Sequence, residues 1–122
     1  MMKIMPASET ADLPAGTVVV VPFPYSDRLA EKRRPALVVS GEAVAAAGYV
    51  WIAMITSARN THAAGDVRID DLMSAGLGVA SVVRPLKLAC IEPSRILRRI
   101  GTLPHQTAAQ VYTTIRSLIG AA

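Results

Sequence analysis

The stretch that decides the fold is Gly16–Ser40, which reads GTVVVVPFPYSDRLAEKRRPALVVS. Its first part, Thr17–Val21, is entirely β-branched and lies between a glycine and a proline. A run of this length and composition predicts a fully buried strand rather than a helix. The polar residues of Tyr25–Arg33 show no hydrophobic period and predict an exposed loop. A second apolar run, Pro35–Ser40, predicts a second strand, so the stretch encodes two strands joined by a basic loop.

Positive charge is distributed unevenly along the chain. There are 13 Lys and Arg residues against 9 Asp and Glu, a net charge of +4. Arg28–Arg34 carries four basic side chains against Glu31, and Arg84–Arg99 carries five against Glu92. If the fold brings these two basic segments together, they predict a polyanionic partner. A basic face that is only solvated is the alternative.

Length and composition predict a single folded domain. The chain has 122 residues, of which 52% are hydrophobic and 18% charged, and such a chain is too apolar to be disordered. We expect a flexible arm over 1–15 and one domain over 16–122. The longest nearly apolar stretch, Ala43–Ile55, is shorter than the roughly 20 residues that span a bilayer. Because the N-terminus also lacks the apolar segment of a secretory signal, we expect a cytoplasmic protein.

Further strands are predicted in the middle of the chain. Tyr49–Thr56 is aromatic and β-branched and predicts a third, central strand. Asp66–Ile69 predicts a short edge strand. Ser81–Arg84 and Lys87–Ile91 predict two short strands separated by Pro85, which in a sheet must lie at an edge or a bulge.

A C-terminal helix is predicted from apolar residues that recur at spacings of three and four, namely Ala108, Val111, Ile115, Leu118 and Ile119. Pro104 fits the first turn, and Gly120 fits the position after the last turn. Short strands followed by one terminal helix predict an α+β, mainly β fold, built as a small curled sheet or barrel.

Metal and cofactor chemistry find little support in the sequence. His62, His105 and Cys90 are isolated, and the adjacent Asp70 and Asp71 would point to opposite sides of a strand. The phosphate-binding loop and dinucleotide motifs are missing. We therefore expect no metal and no cofactor, and we expect Cys90 to be a small buried residue. Most of the five aromatic residues fit the core, so no base-stacking platform is expected either.

RNA cleavage needs neither metal nor histidine, because RNA carries its own nucleophile, the 2'-hydroxyl. The protein then has to position the phosphate in line, move protons and stabilise the charged transition state. An arginine supplies forked donors and fixed charge, and a threonine hydroxyl can hydrogen-bond the phosphate. Arg34, just before the second predicted strand, and Thr56, at the end of the third, are placed for these roles.

Three segments resemble the MazF/PemK family of toxin endoribonucleases. The first is Gly16–Ser40, with its glycine, apolar strand, proline-rich loop and Arg-Pro before the second strand. The second is Ile55–Ser57, which is similar to the family's Ile-Thr-Ser/Ala. The third is Gly76–Glu92 (GLGVASVVRPLKLACIE), which resembles the family's glycine turn and the two strands after it. The resemblance covers most of the chain from Gly16 onward.

This resemblance implies an SH3-like small β-barrel of the MazF/PemK/CcdB type, a homodimer, and a type II toxin that cuts single-stranded RNA without metal. It implies Arg34 and Thr56 as catalytic residues. It also implies RNA-binding roles for five further residues, which are Arg28, Lys32, Arg33, Ser57 and Lys87. The expected partners are RNA, a second copy of the chain, and a cognate antitoxin whose disordered C-terminal segment blocks the RNA groove. Operator DNA is expected to bind only through the toxin–antitoxin complex.

Two alternatives stay open at this point. One is a non-enzymatic toxin like the CcdB gyrase poisons, which share the fold and bind a protein through the C-terminal helix. The other is a catalytically silent regulator that binds its antitoxin or operator DNA. The Arg-Arg-Pro and Ile-Thr-Ser motifs favour the endoribonuclease over the gyrase-binding toxin.

Overall fold

The computed structural model of the protein describes residues 13–22 and 32–121. Within these ranges the strands are β1 (Thr17–Pro22), β2 (Arg33–Val38), β3 (Val50–Ser57), β4 (Val67–Ile69), β5 (Ser81–Ile91) and β6 (Arg98–Thr102). The helices are α1 (Glu42–Ala46), α2 (Leu72–Ala75) and α3 (His105–Leu118), with a turn of 3-10 helix at Pro93–Arg95. Most of the predicted arm and of the predicted loop lies outside the described residues. The α+β, mainly β fold class is confirmed.

The six described strands form one curled antiparallel sheet, a half-barrel, in the order β4-β5-β3-β2-β1-β6. The predictions of an interior β3 and of an edge strand at β4 are confirmed. The second strand starts earlier than predicted, because Arg33 pairs with Pro22 and Arg34 with Val21. This correction places both arginines on the sheet itself rather than in the loop before it.

The strand β5 differs from its prediction. The two short strands expected on either side of Pro85 form one continuous strand. Its ladder with β3 pairs Arg84 with Met54 and then Leu88 with Ala53, and the residues between these two pairs form a β-bulge. A bulge tolerates a proline, since the missing N–H leaves no ladder hydrogen bond unmade. The expected bulge is therefore confirmed, whereas the expected break into two strands is wrong.

The apolar core has two clusters, and β1 contributes to both. Successive strand residues point to opposite faces of a sheet, so Val18 joins the cluster that packs under α3, and Val19 joins the second cluster. Both side chains are fully buried. Burial on both faces explains why β1 is a continuous valine run rather than an alternating pattern.

The predicted C-terminal helix is present as α3, which begins after Pro104 and ends before Gly120. Ala108 and Val111 are buried against the sheet, as its apolar stripe predicts. The end of the stripe departs from the prediction, because Leu118 and Ile119 are exposed. The C-terminal end of α3 therefore presents apolar side chains to solvent.

The sequence pattern does not predict the short helices α1 and α2, and α2 shapes the cleft described below. Asp71 caps α2 by accepting a 3.0 Å hydrogen bond from the Ser74 backbone N–H, and its bonds to Ser74 lower the pKa of the carboxyl. Gly76 ends the helix with a φ of 75°. A Cβ on Gly76 would overlap the Ile100 carbonyl, and a Cβ on Gly101 would overlap Ser74. The two glycines thus let the backbone of α2 lie directly on β6.

Candidate active site

An open cleft of about 870 Å³ lies at one end of the sheet, where β2 and β3 meet the turn after α2. The cleft is lined by three arginines and three hydroxyl side chains, namely Arg33, Arg34, Arg98, Thr56, Ser57 and Ser81. Its walls include Ile55 and Leu77. Four of the seven residues to which the sequence assigned site roles therefore lie in one cleft, namely Arg33, Arg34, Thr56 and Ser57.

Arg34 is held on β2 by the ladder with β1, and the ladder with β3 begins two residues further along the strand. Arg34 pairs with Val21 of β1, and on the other side the ladder pairs Ala36 with Met54 of β3. Continued by two residues, this register aligns Arg34 with Thr56. Arg34 is half-buried, and its guanidinium makes no ion pair with any residue of 13–22 or 32–121. Among the described residues, its fork of donors therefore has no acidic partner.

Thr56 lies near the end of β3 with only 4% of its surface exposed. Its hydroxyl oxygen accepts a 2.6 Å hydrogen bond from the Asn60 side-chain amide. A threonine hydroxyl can accept and donate at the same time, so the Thr56 proton is still available to a ligand. Asn60 is a feature of the site that motif reasoning missed. The contact forms across the turn after β3. Neither hydrophobic periodicity nor motif spacing in the sequence shows which side chain of a turn will hydrogen-bond back to the preceding strand.

The other two hydroxyls of the cleft are engaged with nearby backbone. Ser57 accepts a 3.2 Å bond from the Arg59 backbone N–H, within the turn that follows β3. Ser81 donates a 2.8 Å bond to the Val79 carbonyl. Since Ser81 spends its only proton on that carbonyl, it shapes the turn of the cleft wall and cannot also donate to a ligand.

The fold brings parts of the two basic segments together, as a polyanionic partner would require. Arg33 faces Pro22 on one side of β1, while Arg98 of β6 pairs with Val20 on the other. Arg98 was not predicted as a site residue, because only the sheet order places β6 next to β1. The cleft therefore holds fixed positive charge from two distant parts of the sequence.

Other predicted residues lie elsewhere. Lys32 is exposed just before β2, and Lys87 is exposed in the bulge of β5; neither lines the cleft. Arg28 lies outside the described residues. Arg84 belongs to the second basic segment but faces another way, since it forms a two-pronged ion pair with Asp66 at 3.0 Å.

A second groove of about 600 Å³ lies between the sheet and the C-terminal half of α3, and its lining is mainly apolar. Trp51 and Cys90, which pair across β3 and β5, line it together with Tyr112 and Ile119. Half of the Trp51 surface is exposed, and Cys90 is exposed as well. The expectation of a buried Cys90 is therefore wrong, and the expectation of core aromatic residues is wrong for Trp51 and for Tyr49, which is also exposed. Burial raises the pKa of the Tyr112 phenol.

Two further properties concern only the residues that the structure describes. No group of three or more His, Cys, Asp or Glu side chains is arranged there to hold a metal ion. No helix in those ranges is long and apolar enough to cross a membrane.

Comparison with known proteins identifies the family. The model of the PemK-like, MazF-like toxins of type II toxin–antitoxin systems matches residues 15–119. The chain belongs to this family. A search of curated protein sequences returned no significant match.

Solved structures of MazF toxins share this architecture. MazF from Deinococcus radiodurans is 29% identical and superposes with a TM-score of 0.69, over 88% of this chain and 96% of that one. The Mycobacterium tuberculosis toxin MazF-mt6 is 24% identical, with a TM-score of 0.64 over 83% and 93%. A mycobacterial endoribonuclease in complex with its cognate antitoxin is 16% identical, with a TM-score of 0.66 over 85% and 91%. At these identities, the likeness to the two mycobacterial proteins concerns the fold alone. In this PemK/MazF-like toxin, the residues of the Arg-Pro and Ile-Thr-Ser motifs line the cleft.

Proposed function

We propose that this PemK/MazF-like toxin is a metal-independent, sequence-selective endoribonuclease that cleaves single-stranded mRNA and thereby inhibits translation and growth. The observation that carries the proposal is the presence of Arg34 of β2 and Thr56 of the neighbouring strand β3 in the lining of one cleft. Membership of a toxin family that includes endoribonucleases supports it. The basic rim formed by Arg33 and Arg98 fits an RNA backbone on either side of the cut.

The reaction uses the nucleophile that RNA supplies. The 2'-oxygen attacks the adjacent phosphorus, the bond from phosphorus to the 5'-oxygen breaks, and a 2',3'-cyclic phosphate forms opposite a new 5'-hydroxyl. Water can open the cyclic product to a 3'-phosphate. One proton leaves the 2'-hydroxyl and one must reach the departing 5'-oxygen, so the net transfer balances.

Each proposed catalytic residue has a role that its surroundings allow. Arg34, with its forked donors unpaired among the described residues, holds two phosphate oxygens and stabilises the extra charge of the phosphorane. Thr56, whose proton is not used by Asn60, donates to a phosphate oxygen. The described lining of the cleft contains no histidine and no carboxylate, so Arg34 and solvent water are the proposed routes for proton transfer.

We further propose a homodimer and an antitoxin partner. The exposed apolar groove around Trp51 and Cys90 supports self-association, because such surfaces commonly mark contact sites. A disordered, acidic antitoxin segment fits the basic segment Arg28–Arg34, where it would compete with RNA for the same charge. MazF from Deinococcus radiodurans has been solved in complex with MazE, and a mycobacterial endoribonuclease has been solved in complex with its cognate antitoxin. Operator DNA would bind only through that complex.

The test is cleavage of single-stranded RNA by the purified protein in excess EDTA, with analysis of both new ends. We expect cuts at a limited set of positions that leave a 2',3'-cyclic phosphate or 3'-phosphate and a 5'-hydroxyl. Intact RNA under these conditions, with activity restored by a divalent metal, would contradict the metal-independent mechanism. Intact RNA under all conditions would favour the gyrase-binding toxin or the silent regulator.

A further inference from the structure

The turn after β3 contains a polar contact to which no catalytic role has been assigned. Asn60 is exposed, yet its side-chain amide lies 2.6 Å from the Thr56 hydroxyl oxygen. Its backbone N–H donates to the Ser57 carbonyl at 3.0 Å, which closes the turn and returns the Asn60 side chain toward Thr56. The contact is therefore built by the backbone and is not a chance approach of a long side chain.

The direction of this hydrogen bond determines where the Thr56 proton can point. An amide nitrogen only donates, so at Asn60 the Thr56 oxygen acts as acceptor. The threonine keeps one proton, and within 13–22 and 32–121 that proton has no acceptor. Because Thr56 is 4% exposed and lines the cleft, the free direction for the proton is toward a ligand in the cleft.

The loop that carries Asn60 is anchored at its far end by a charged clamp. Arg84 donates to both carboxylate oxygens of Asp66 at 3.0 Å and to the Thr61 carbonyl at 2.7 Å. Asp66 in turn accepts a 3.1 Å bond from the Ala63 backbone N–H. The side chains of Arg84 and Asp66 are only 14% and 7% exposed. The clamp therefore fixes the loop immediately beyond Asn60 to the neighbouring strand β5.

We propose that Asn60 is a positioning residue for Thr56. Its side-chain amide donates to the Thr56 hydroxyl oxygen, and the hydroxyl proton is thereby turned toward the scissile phosphate. The inference rests on the proposed RNA cleavage, since it concerns the orientation of a catalytic group. Asn60 acts through Thr56 and does not itself touch the phosphate. Its contribution should then disappear when the Thr56 hydroxyl is removed.

The deciding experiment is a double-mutant cycle on RNA cleavage, measured as kcat and KM for the wild type, Asn60→Ala, Thr56→Ala and the double variant. We expect Asn60→Ala to lower kcat about 10-fold, the scale of one hydrogen bond, with KM nearly unchanged. The double variant should be no slower than Thr56→Ala alone. His62→Ala, an exposed change in the same loop, serves as the matched control and should cleave like the wild type.

A near-isosteric change tests the direction of the bond. In Asn60→Asp the carboxylate only accepts, so it would take the Thr56 proton away from the cleft, and kcat should fall at least as far as in Asn60→Ala. Asn60→Gln retains the amide donor and should recover part of the rate. Thermal unfolding of each variant verifies that it is folded.

Two results would overturn the inference while leaving the proposed function standing. One is an Asn60→Ala variant with wild-type kcat. The other is a double variant slower than Thr56→Ala by the full factor seen for Asn60→Ala, which would mean that the two residues act independently. A wild-type protein without any cleavage would instead reject the proposed function, and this inference with it.

Discussion

The polar cleft around Arg34 and the apolar groove around Trp51 are two concave surfaces of one small domain, and they differ in nearly every chemical property. The cleft gathers three arginines and three hydroxyl residues from four strands. The groove combines the exposed side chains of Trp51 and Cys90 with the end of α3. Fixed positive charge and hydroxyl groups suit chemistry on a phosphate, whereas exposed apolar area suits a protein contact. From this difference we infer a division between catalysis at the cleft and assembly at the groove.

The largest expected effect separates the cleft from the rest of the basic surface. Arg34→Ala should lower RNA cleavage by about 100-fold or more, the scale of losing one preorganised donor to a developing anion. Arg34→Lys should also fail, because a point charge does not replace a fork. Lys32→Ala, an exposed basic residue outside the cleft lining, is the matched control and should cost far less. Equal cleavage by the Arg34 and Lys32 variants, measured by single-turnover kinetics, would remove Arg34 as the phosphate clamp.

A comparable loss is expected at the second proposed catalytic residue. Thr56→Ala removes the proton donor and should slow cleavage on a scale similar to Arg34→Ala, while Thr56→Ser retains the hydroxyl and should be milder. Ser57→Ala is the natural comparison, since it is the neighbouring hydroxyl in the same cleft. If Ser57→Ala proved the more damaging of the two in a cleavage assay, the assignment of the donor would have to move by one residue.

Breaking the clamp between Arg84 and Asp66 should change the free energy of unfolding more than the rate of RNA cleavage. The bond from Arg84 lowers the pKa of the Asp66 carboxyl below its ordinary value of 3.8. The ion pair therefore stabilises the fold fully at pH values above 3.8, the ordinary pKa of the carboxyl. This stabilisation is lost as the pH falls through the lower pKa of Asp66 in the folded state. We expect Asp66→Asn to reduce the free energy of unfolding at neutral pH by about 3 kcal/mol, because it leaves Arg84 without its charged partner.

Urea unfolding at several pH values measures this effect. The gap between wild type and Asp66→Asn should narrow once the pH is well below 3.8. Asp70→Asn is the matched control, because the Asp70–Arg68 pair is 3.8 Å long and highly exposed, and such pairs contribute little. A gap that stays constant down to low pH would show that the ionised carboxylate is not what stabilises the loop.

A smaller effect is expected in the apolar groove. Trp51→Ala should weaken self-association by about 10-fold or more, the scale of one aromatic anchor at an interface. Tyr49→Ala is the control, since Tyr49 is similarly exposed but does not line the groove. Sedimentation over a range of concentrations distinguishes the two variants. If the wild type sediments at the monomer mass of 12.9 kDa at micromolar concentration, the homodimer is contradicted.

Much of the architecture could be predicted from the sequence, because its signals are local. The valine run of β1 and the apolar stripe of α3 identify their elements without knowledge of their neighbours. The joining of β5 across Pro85 could not be predicted, since the bulge depends on the ladder with β3. The exposure of Cys90 was missed for a similar reason: a small apolar residue in a strand is buried only if something covers that face.

The residues of the candidate site also separate into those that the sequence predicts and those that only the structure reveals. Arg34 and Thr56 belong to motifs and could be identified from the sequence, and the structure places both in the cleft. Arg98 and Asn60 could not, because one reaches the cleft through the sheet order and the other through the closure of a turn. Lys87 was assigned to the site by its place in a motif, yet it lies outside the cleft lining.

In the proposed mechanism, the cleft cleaves RNA by means of the RNA's own 2'-hydroxyl. The most direct measurement uses two oligonucleotides that carry the preferred cut position, one all-ribose and one with a single 2'-deoxy nucleotide immediately 5' of the scissile phosphate, each incubated with the protein in EDTA. We expect the all-ribose strand to be cut there and the 2'-deoxy strand to remain intact at that position. Equal cleavage of both strands would contradict the account, because the nucleophile would then have to come from somewhere other than the RNA.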